Sequence, residues 1–149
     1  MTDVVDSHAR SRIMSSIRSR GNKSTELVMA AMLRKRRLVG WRRHYYVLGN
    51  PDFAWPKIQL AVFVDGCFWH GCPFCRRPPK SNVAFWSNKV CRNSARDRKV
   101  SRTLRVQGWS VIRVRECRLQ AAGTIARIER LYRIRTRKLL VGAPQPLDR

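Results

Sequence analysis

Apolar positions switch from helical spacing to alternation and back along this chain, and the switches predict its elements. Residues 8–19 are basic and polar apart from Ile13, Met14 and Ile17, a narrow stripe that predicts a short helix needing another surface to pack on. Gly21-Asn22 breaks it. Ser24 can cap a second helix in which Leu27, Val28, Ala31, Met32 and Leu33 recur at helical spacing until about Val39, with Glu26 in its first turn. From Trp41 the chain turns to β-formers: Tyr45-Tyr46-Val47-Leu48, a Gly49-Asn50-Pro51 turn, Asp52-Phe53-Ala54-Trp55, and the run 58–64, apolar enough for a central strand. Residues 83–107 read as one long or broken helix ended by Gly108, and 109–116 as a strand with Ser110, Ile112, Val114 and Glu116 on one face. Ile125, Ile128, Tyr132 and Leu139 mark a last helix. The order ααβββαβα predicts an α/β fold, a mixed sheet with helices on its faces, followed by a disordered tail at 142–149.

Charge narrows the partners. Among 149 residues, 32 are Lys or Arg and nine are Asp or Glu, a formal net charge of +23. Arginine dominates, and its planar fork meets phosphate oxygens two at a time, so nucleic acid is the leading partner. An anionic membrane would also attract this charge, but no apolar run approaches the length of a span and no lipidation motif is present. The N-terminus lacks the pattern of a signal peptide, so the expectation is a single-domain, soluble intracellular protein, cytoplasmic and nucleoid-associated.

Cysteine spacing adds a metal. Cys67, Cys72 and Cys75 form a C-x4-C-x2-C cluster within the stretch 64–75, and Cys117 lies downstream. Four thiolates suit a tetrahedral structural zinc, whereas disulfides are disfavoured inside cells. Cys67 and Cys117 could instead be buried at strand ends, but that alternative leaves Cys72 and Cys75 in a loop without a reason. Cys91 sits in the helical pattern as a small packing residue. His70 is held between the first two cysteines of the cluster, which suits a general acid or base near neutral pH; replacing one cysteine as a zinc ligand is its other use.

In so basic a chain, each carboxylate at a strand end or on an apolar face needs a reason. Asp52 begins one β-stretch and Asp65 ends the next, so the two could converge and hold a hard cation such as magnesium, as nucleases do. Asp97 lies in phase with Val83, Trp86, Val90 and Leu104 and so points inward, where it must be paired with an arginine or put to use.

These residues, taken in order, resemble the very-short-patch repair endonucleases, the Vsr mismatch nickases. The resemblance covers about residues 8–135. Its motifs are Ser11 to Arg18, Glu26, Gly49-Asn50-Pro51-Asp52-Phe53, Phe63 to Pro73, Pro79-Lys80-Ser81-Asn82, Phe85-Trp86, Asn93 to Arg98 and Gly108-Trp109 to Cys117. It implies a restriction-endonuclease-like fold with an added zinc site, and nicking of double-stranded DNA beside the thymine of T:G mismatches left by 5-methylcytosine deamination. By the same resemblance Asp52 is the main magnesium ligand, helped by the carbonyl of Val64; His70 activates or orients the attacking water; Asp97 and Glu26 hold metal-bound waters; and Asp65 supports them from behind. Phe68, Trp69 and Trp86 would wedge into the base stack from the major groove and Met14 from the minor groove, where unstacking costs least at a weakened pair. Core packing is the alternative for Trp86. Residues 1–21 become a DNA-contacting helix or arm, 22–141 the nuclease domain with its zinc site, and 142–149 the tail.

Two departures stand out. Asp65 is followed two positions on by Cys67, where the broader nuclease fold carries a lysine, so His70 must supply that function. Arg113, Arg115 and the arginine-rich last helix are expected to raise non-specific DNA affinity. The rival expectations are a Vsr-like nuclease used for restriction or mobile-element cleavage of paired DNA, and a zinc-stabilised DNA-binding protein without catalysis. A nickase needs one active site, so a monomer is expected, with mismatch-repair proteins as candidate further partners.

Overall fold

The computed structural model describes residues 23–75 and 80–142. The expected helix at 8–19, with Met14, and the tail from 143 onward lie outside these residues. The first described segment is a π-helical turn, Lys23–Leu27, running into helix α1, Val28–Lys35, which buries Met29, Ala30 and Leu33. α1 stops four residues short of the expected Val39. Arg37 turns left-handed (φ 54°), and the amides of Arg37 and Leu38 bond back to the carbonyls of Arg34 and Leu33 at 2.9 and 3.0 Å. This is a Schellman ending, and it folds Leu38 into the core.

Four strands follow: β1, Arg42–Arg43; β2, Phe53–Trp55; β3, Leu60–Asp65; and β4, Ser110–Arg115. The sheet runs in the order β1-β2-β3-β4 and is antiparallel except for the parallel pair β3–β4, which registers Leu60 with Ser110 and Asp65 with Arg115. A parallel pair needs a long crossover, here helix α2, Val83–Val106. Gly108, at φ 89°, ends α2 in a second Schellman turn: its amide and that of Trp109 bond to the carbonyls of Arg105 and Leu104. Helix α3, Ala122–Val141, closes the described chain. The order of elements is thus the expected one from the second helix onward.

β3 is buried on both faces, and its side chains alternate between two layers. Leu60 and Val62 share the larger core with Ile112 and Val114 of β4, α1 and the buried Ile125 and Ile128 of α3. Ala61 and Phe63 face the other way, onto Val111 and onto Leu104 of α2. Asp65 and Arg113 fall on this second face by the same parity, so the sheet itself aims them at α2.

One expected strand moves. Tyr45-Tyr46-Val47-Leu48 is a turn-rich loop, and the strand forms instead at Arg42–Arg43, paired with Ala54 and Phe53. Strand preference measures fit to a pleated, half-buried surface, and Tyr46 at 95% exposure finds no such surface. The loop closes where the His44 amide bonds to the Asp52 carbonyl at 3.3 Å. Gly49 (φ 80°) lets it approach α2: a Cβ there would collide with Val100 Cγ1 and come within 3.2 Å of Phe63. Among the described residues no helix is long and apolar enough to cross a membrane.

Candidate active site

Where β2 begins and β3 ends, Asp52, Val64, Asp65, His70, Asp97 and Arg113 line a cleft of about 390 Å³. Pairing between β2 and β3 stops at Phe53 and Val62, so the next outward-facing amide of β3, that of Val64, has no strand partner on that side. Asp52 takes it: Val64 N–H donates to Oδ2 at 2.6 Å. Burial raises the pKa of Asp52 above its ordinary 3.8. The Val64 amide opposes that rise, the charges of Glu26 and Asp65 add to it, and His44 works against it.

Glu26 is brought to the same place by the π-helical turn before α1. It is 3% exposed, and Oε2 is met by the Arg43 guanidinium and by His44 Nε2 at 3.0 Å. The ligand atoms of Glu26, His44 and Asp52 lie within 4.8 Å of one another and could hold a metal ion. His44 is a residue the pattern along the chain does not expose, because it sits among residues that read as a strand; its rarity and its place at the mouth of the hairpin ending in Asp52 are its signals.

Behind this trio stands a second group. Asp97 points inward from α2, as its phase predicts, and its Oδ2 lies 2.5 Å from His70 Nδ1, while Oδ1 lies 2.9 Å from Arg113. Arg113 also grips both oxygens of Asp65, at 2.7 and 2.9 Å, and stacks over Phe63 with its guanidinium carbon 4.5 Å from the ring centre. The arginine alternative for Asp97 and the histidine contact thus coexist. Arg113 and Arg115, the latter 3.5 Å from Asp65, thus pair with these carboxylates inside the chain. Asp65 and His70 stand 3.9 Å apart, and Asp65, His70 and Asp97 form another set able to hold a metal ion.

His70 owes its position to the cysteine loop. Its amide bonds to the Gly66 carbonyl at 3.2 Å and that of Cys72 to Cys67 at 3.1 Å, while Asn93 of α2 donates to the Trp69 carbonyl at 2.9 Å. Cys67, Cys72, Cys75 and Cys117 bring their sulfurs within 4.8 Å of one another, a complete four-thiol set that could hold a metal ion without His70. Cys72 Sγ lies 3.5 Å from Cys117 Sγ, and the Cys117 amide faces Cys67 Sγ at 3.3 Å. Burial disfavours the Cys72 thiolate, yet the amides of Phe74 and Cys75, together with the thiols of Cys117 and Cys75, outweigh it and lower the pKa to about 6. Sharing with Cys67 and Cys117 pushes the Cys75 thiol upward. Glu116 buttresses the loop, accepting from the Cys67 amide at 3.4 Å. Cys91 is exposed on α2, not packed as expected.

Four aromatic rings gather at the outer end of the same loop. Phe68 meets Trp69 at 5.1 Å and Trp86 at 5.2 Å between ring centres, and Phe85 meets Trp86 at 5.3 Å. Lys89 stands 5.0 Å over Trp69 and 5.4 Å over Trp86. Val83, which was to share a core stripe with Trp86, is 53% exposed. Trp86 therefore belongs to a surface cluster rather than to the core.

The sequence model of the DNA mismatch endonuclease Vsr matches residues 2–76. The type II nicking enzyme V.XorIIP of Xanthomonas oryzae pv. oryzae is 33% identical over 130 residues, which cover 84% of this chain and 92% of that enzyme. The type II nicking enzyme V.NmeDIP of Neisseria meningitidis serogroup C is 38% identical over 113 residues, 74% of this chain and 76% of the relative. The DNA mismatch endonuclease Vsr of Escherichia coli K12 is 33% identical over 122 residues, 80% and 77% of the two chains. With half of its length under the family model and about three quarters or more of each of these relatives covered, the chain belongs to the Vsr family of endonucleases.

Proposed function

We propose that this endonuclease is a magnesium-dependent, strand-specific DNA nickase that cuts beside the thymine of T:G mismatches. The observation that carries the reading is the placement, around one loop, of a carboxylate cleft, a histidine–carboxylate pair and a cluster of partly exposed aromatic rings. Membership of a family whose description is DNA mismatch endonuclease supports the substrate. The mixed sheet with Asp52 and Asp65 at neighbouring strand ends is consistent with a restriction-endonuclease-like core.

The donor set fits a hard cation. Asp52 uses Oδ2 on the Val64 amide, which leaves Oδ1 for an ion; the Val64 carbonyl shares the strand edge of its own N–H and therefore faces the same side. Asp52 would hold magnesium with that carbonyl, Glu26 would hold a water bound to it, and the ion would neutralise charge on the scissile phosphate. Both oxygens of Asp97 are engaged, by His70 and Arg113, which supports a positioning role. With Nδ1 held by Asp97, His70 has Nε2 left to take a proton from the attacking water. Arg113 bridges Asp65 and Asp97, and Asp65 braces the cleft. The four thiolates suit zinc, which would fix the loop and leave the chemistry to the cleft.

Phe68, Trp69 and Trp86 would probe the base stack from the major-groove side, and the arm at 1–21, through Met14, from the minor groove. A second reading rests on the relatives named type II nicking enzymes, which point toward a role beside a restriction site. Nicking of one duplex in T:G and T:A versions, with and without magnesium, decides. Cleavage confined to T:G with magnesium is expected, equal cleavage of T:A would favour the second reading, and cleavage of neither by active-looking protein would sink both.

A further inference from the structure

A second cavity, about 760 Å³, opens on the far side of the Asp97–Arg113 contact. Ser94, Arg98, Ser101, Arg102 and Arg105 succeed one another at helical spacing on one face of α2 to form its wall; Val111, Arg113 and Arg115 of β4 and Arg127 of α3 complete it. Asp97 is the one acid in this lining, and it is already shared by His70 and Arg113. Among the described residues no carboxylate pairs with Arg98, Arg102, Arg105 or Arg127, although Arg36 and Arg133 both find Glu129 on the same α3. Cations gathered in a concavity without counter-charge repel one another, and such a site is stabilised by a polyanion that enters it.

From this we infer that the groove is a second DNA subsite, one that takes the sugar–phosphate backbone of the duplex flanking the nick and does not touch the bases. The inference rests on the chain acting on DNA. Continuity argues for this occupant: the cleft and the groove share Asp97 and Arg113 as a common partition, so a strand leaving one passes directly to the other. Length agrees. Asp97 to Arg105 spans roughly 12 Å of helix, at about 1.5 Å per residue, enough for about three successive phosphates of one strand at 3.4 Å of axial rise. Arginine forks suit phosphate oxygens and carry no sequence information of their own, so the groove would lengthen the footprint without narrowing the choice of site.

The test is equilibrium binding of the full chain, without divalent metal, to fully paired duplexes that either end close to the recognition core or extend on one side or the other, over a salt series. Combined Arg102→Gln, Arg105→Gln and Arg127→Gln should weaken binding of one extended duplex by at least about tenfold and flatten the log–log salt slope by about 0.9 per lost phosphate contact. Binding of the short duplex should be the same for parent and variant. Arg127→Gln alone gives a smaller change in the same direction should the combined variant misfold, and the corresponding lysine substitutions should restore the slope. An unchanged slope on both extended duplexes, or an equal loss on short and extended ones, overturns the inference. Neither mismatch nor chemistry enters this measurement, so failure of T:G nicking and failure of the groove are read separately.

Discussion

Asp52 carries the most consequential single prediction. Its pKa is raised in the folded, metal-free chain, chiefly by burial, so folding favours the protonated form. A folded pKa above the unfolded one means that the native state binds the extra proton, and stability without metal should fall as pH rises from about 3.8 through the raised value. Asp52→Asn should therefore raise the melting temperature of metal-free protein near neutral pH by a few degrees while abolishing nicking. A lower melting temperature for that variant would contradict the account. For His70→Ala and Asp97→Asn the expected loss in single-turnover rate is about 10²- to 10⁴-fold, the range of general acid–base catalysis. If Asp97 works through His70, the double variant should be little worse than either single one; multiplicative losses would separate the two side chains.

At the scale of elements, Gly49 shows how a turn sets a site. The loop before Asp52 lies against α2 with no room for a methyl group and with positive φ, so Gly49→Ala should cost about 1–3 kcal/mol by denaturant midpoint and displace Asp52 as well. Stability and nicking equal to the parent would show that the loop tolerates the shift. The same segment marks where the sequence could be read and where it could not. Asp97 was legible because helical phase alone fixes which side of α2 it faces, and the cysteine set was legible because thiol spacing is a chemical signature. Arg42–Arg43 as a strand was not, since that pairing depends on what lies opposite; nor was His44, whose partner Glu26 is fixed by a π-helical turn with no local signal. Phe85 joins the aromatic cluster for a similar reason, as only the placement of the cysteine loop against α2 makes that helix end a surface instead of core. Trp69→Ala should reduce discrimination between T:G and T:A duplexes more than it reduces the overall rate, measured as the ratio of nicking efficiencies.

For the whole molecule, one strongly cationic chain must fold around nine carboxylates, and three of the six in the described residues line the cleft, with Glu26 beside them. The larger core on the α1 and α3 face does most of the burying, whereas the α2 face is narrower and ends in polar contacts. A metal held by the cysteine cluster would compensate on that side by tying the loop after β3 to the turn after β4. Chelator, or Cys72→Ser, should lower the melting temperature or abolish the cooperative transition, as is usual when metal binding is coupled to folding. An identical melt with and without chelator would remove the metal from the account.

That tie also bears on how fast the chain finds its shape. β3 and β4 are neighbours in space but are separated by the whole of α2, and the thiols at their ends, Cys67 and Cys117, stand 50 positions apart. Long-range parallel pairing is slow because the entropy of closing so long a loop is lost before any contact rewards it. An ion that gathers the thiolates in the unfolded chain would close this loop first and leave the strands only a short distance to search. Refolding should then be faster with zinc present from the start than with zinc added after dilution from denaturant, and equal rates would mean that the strands meet before the metal does.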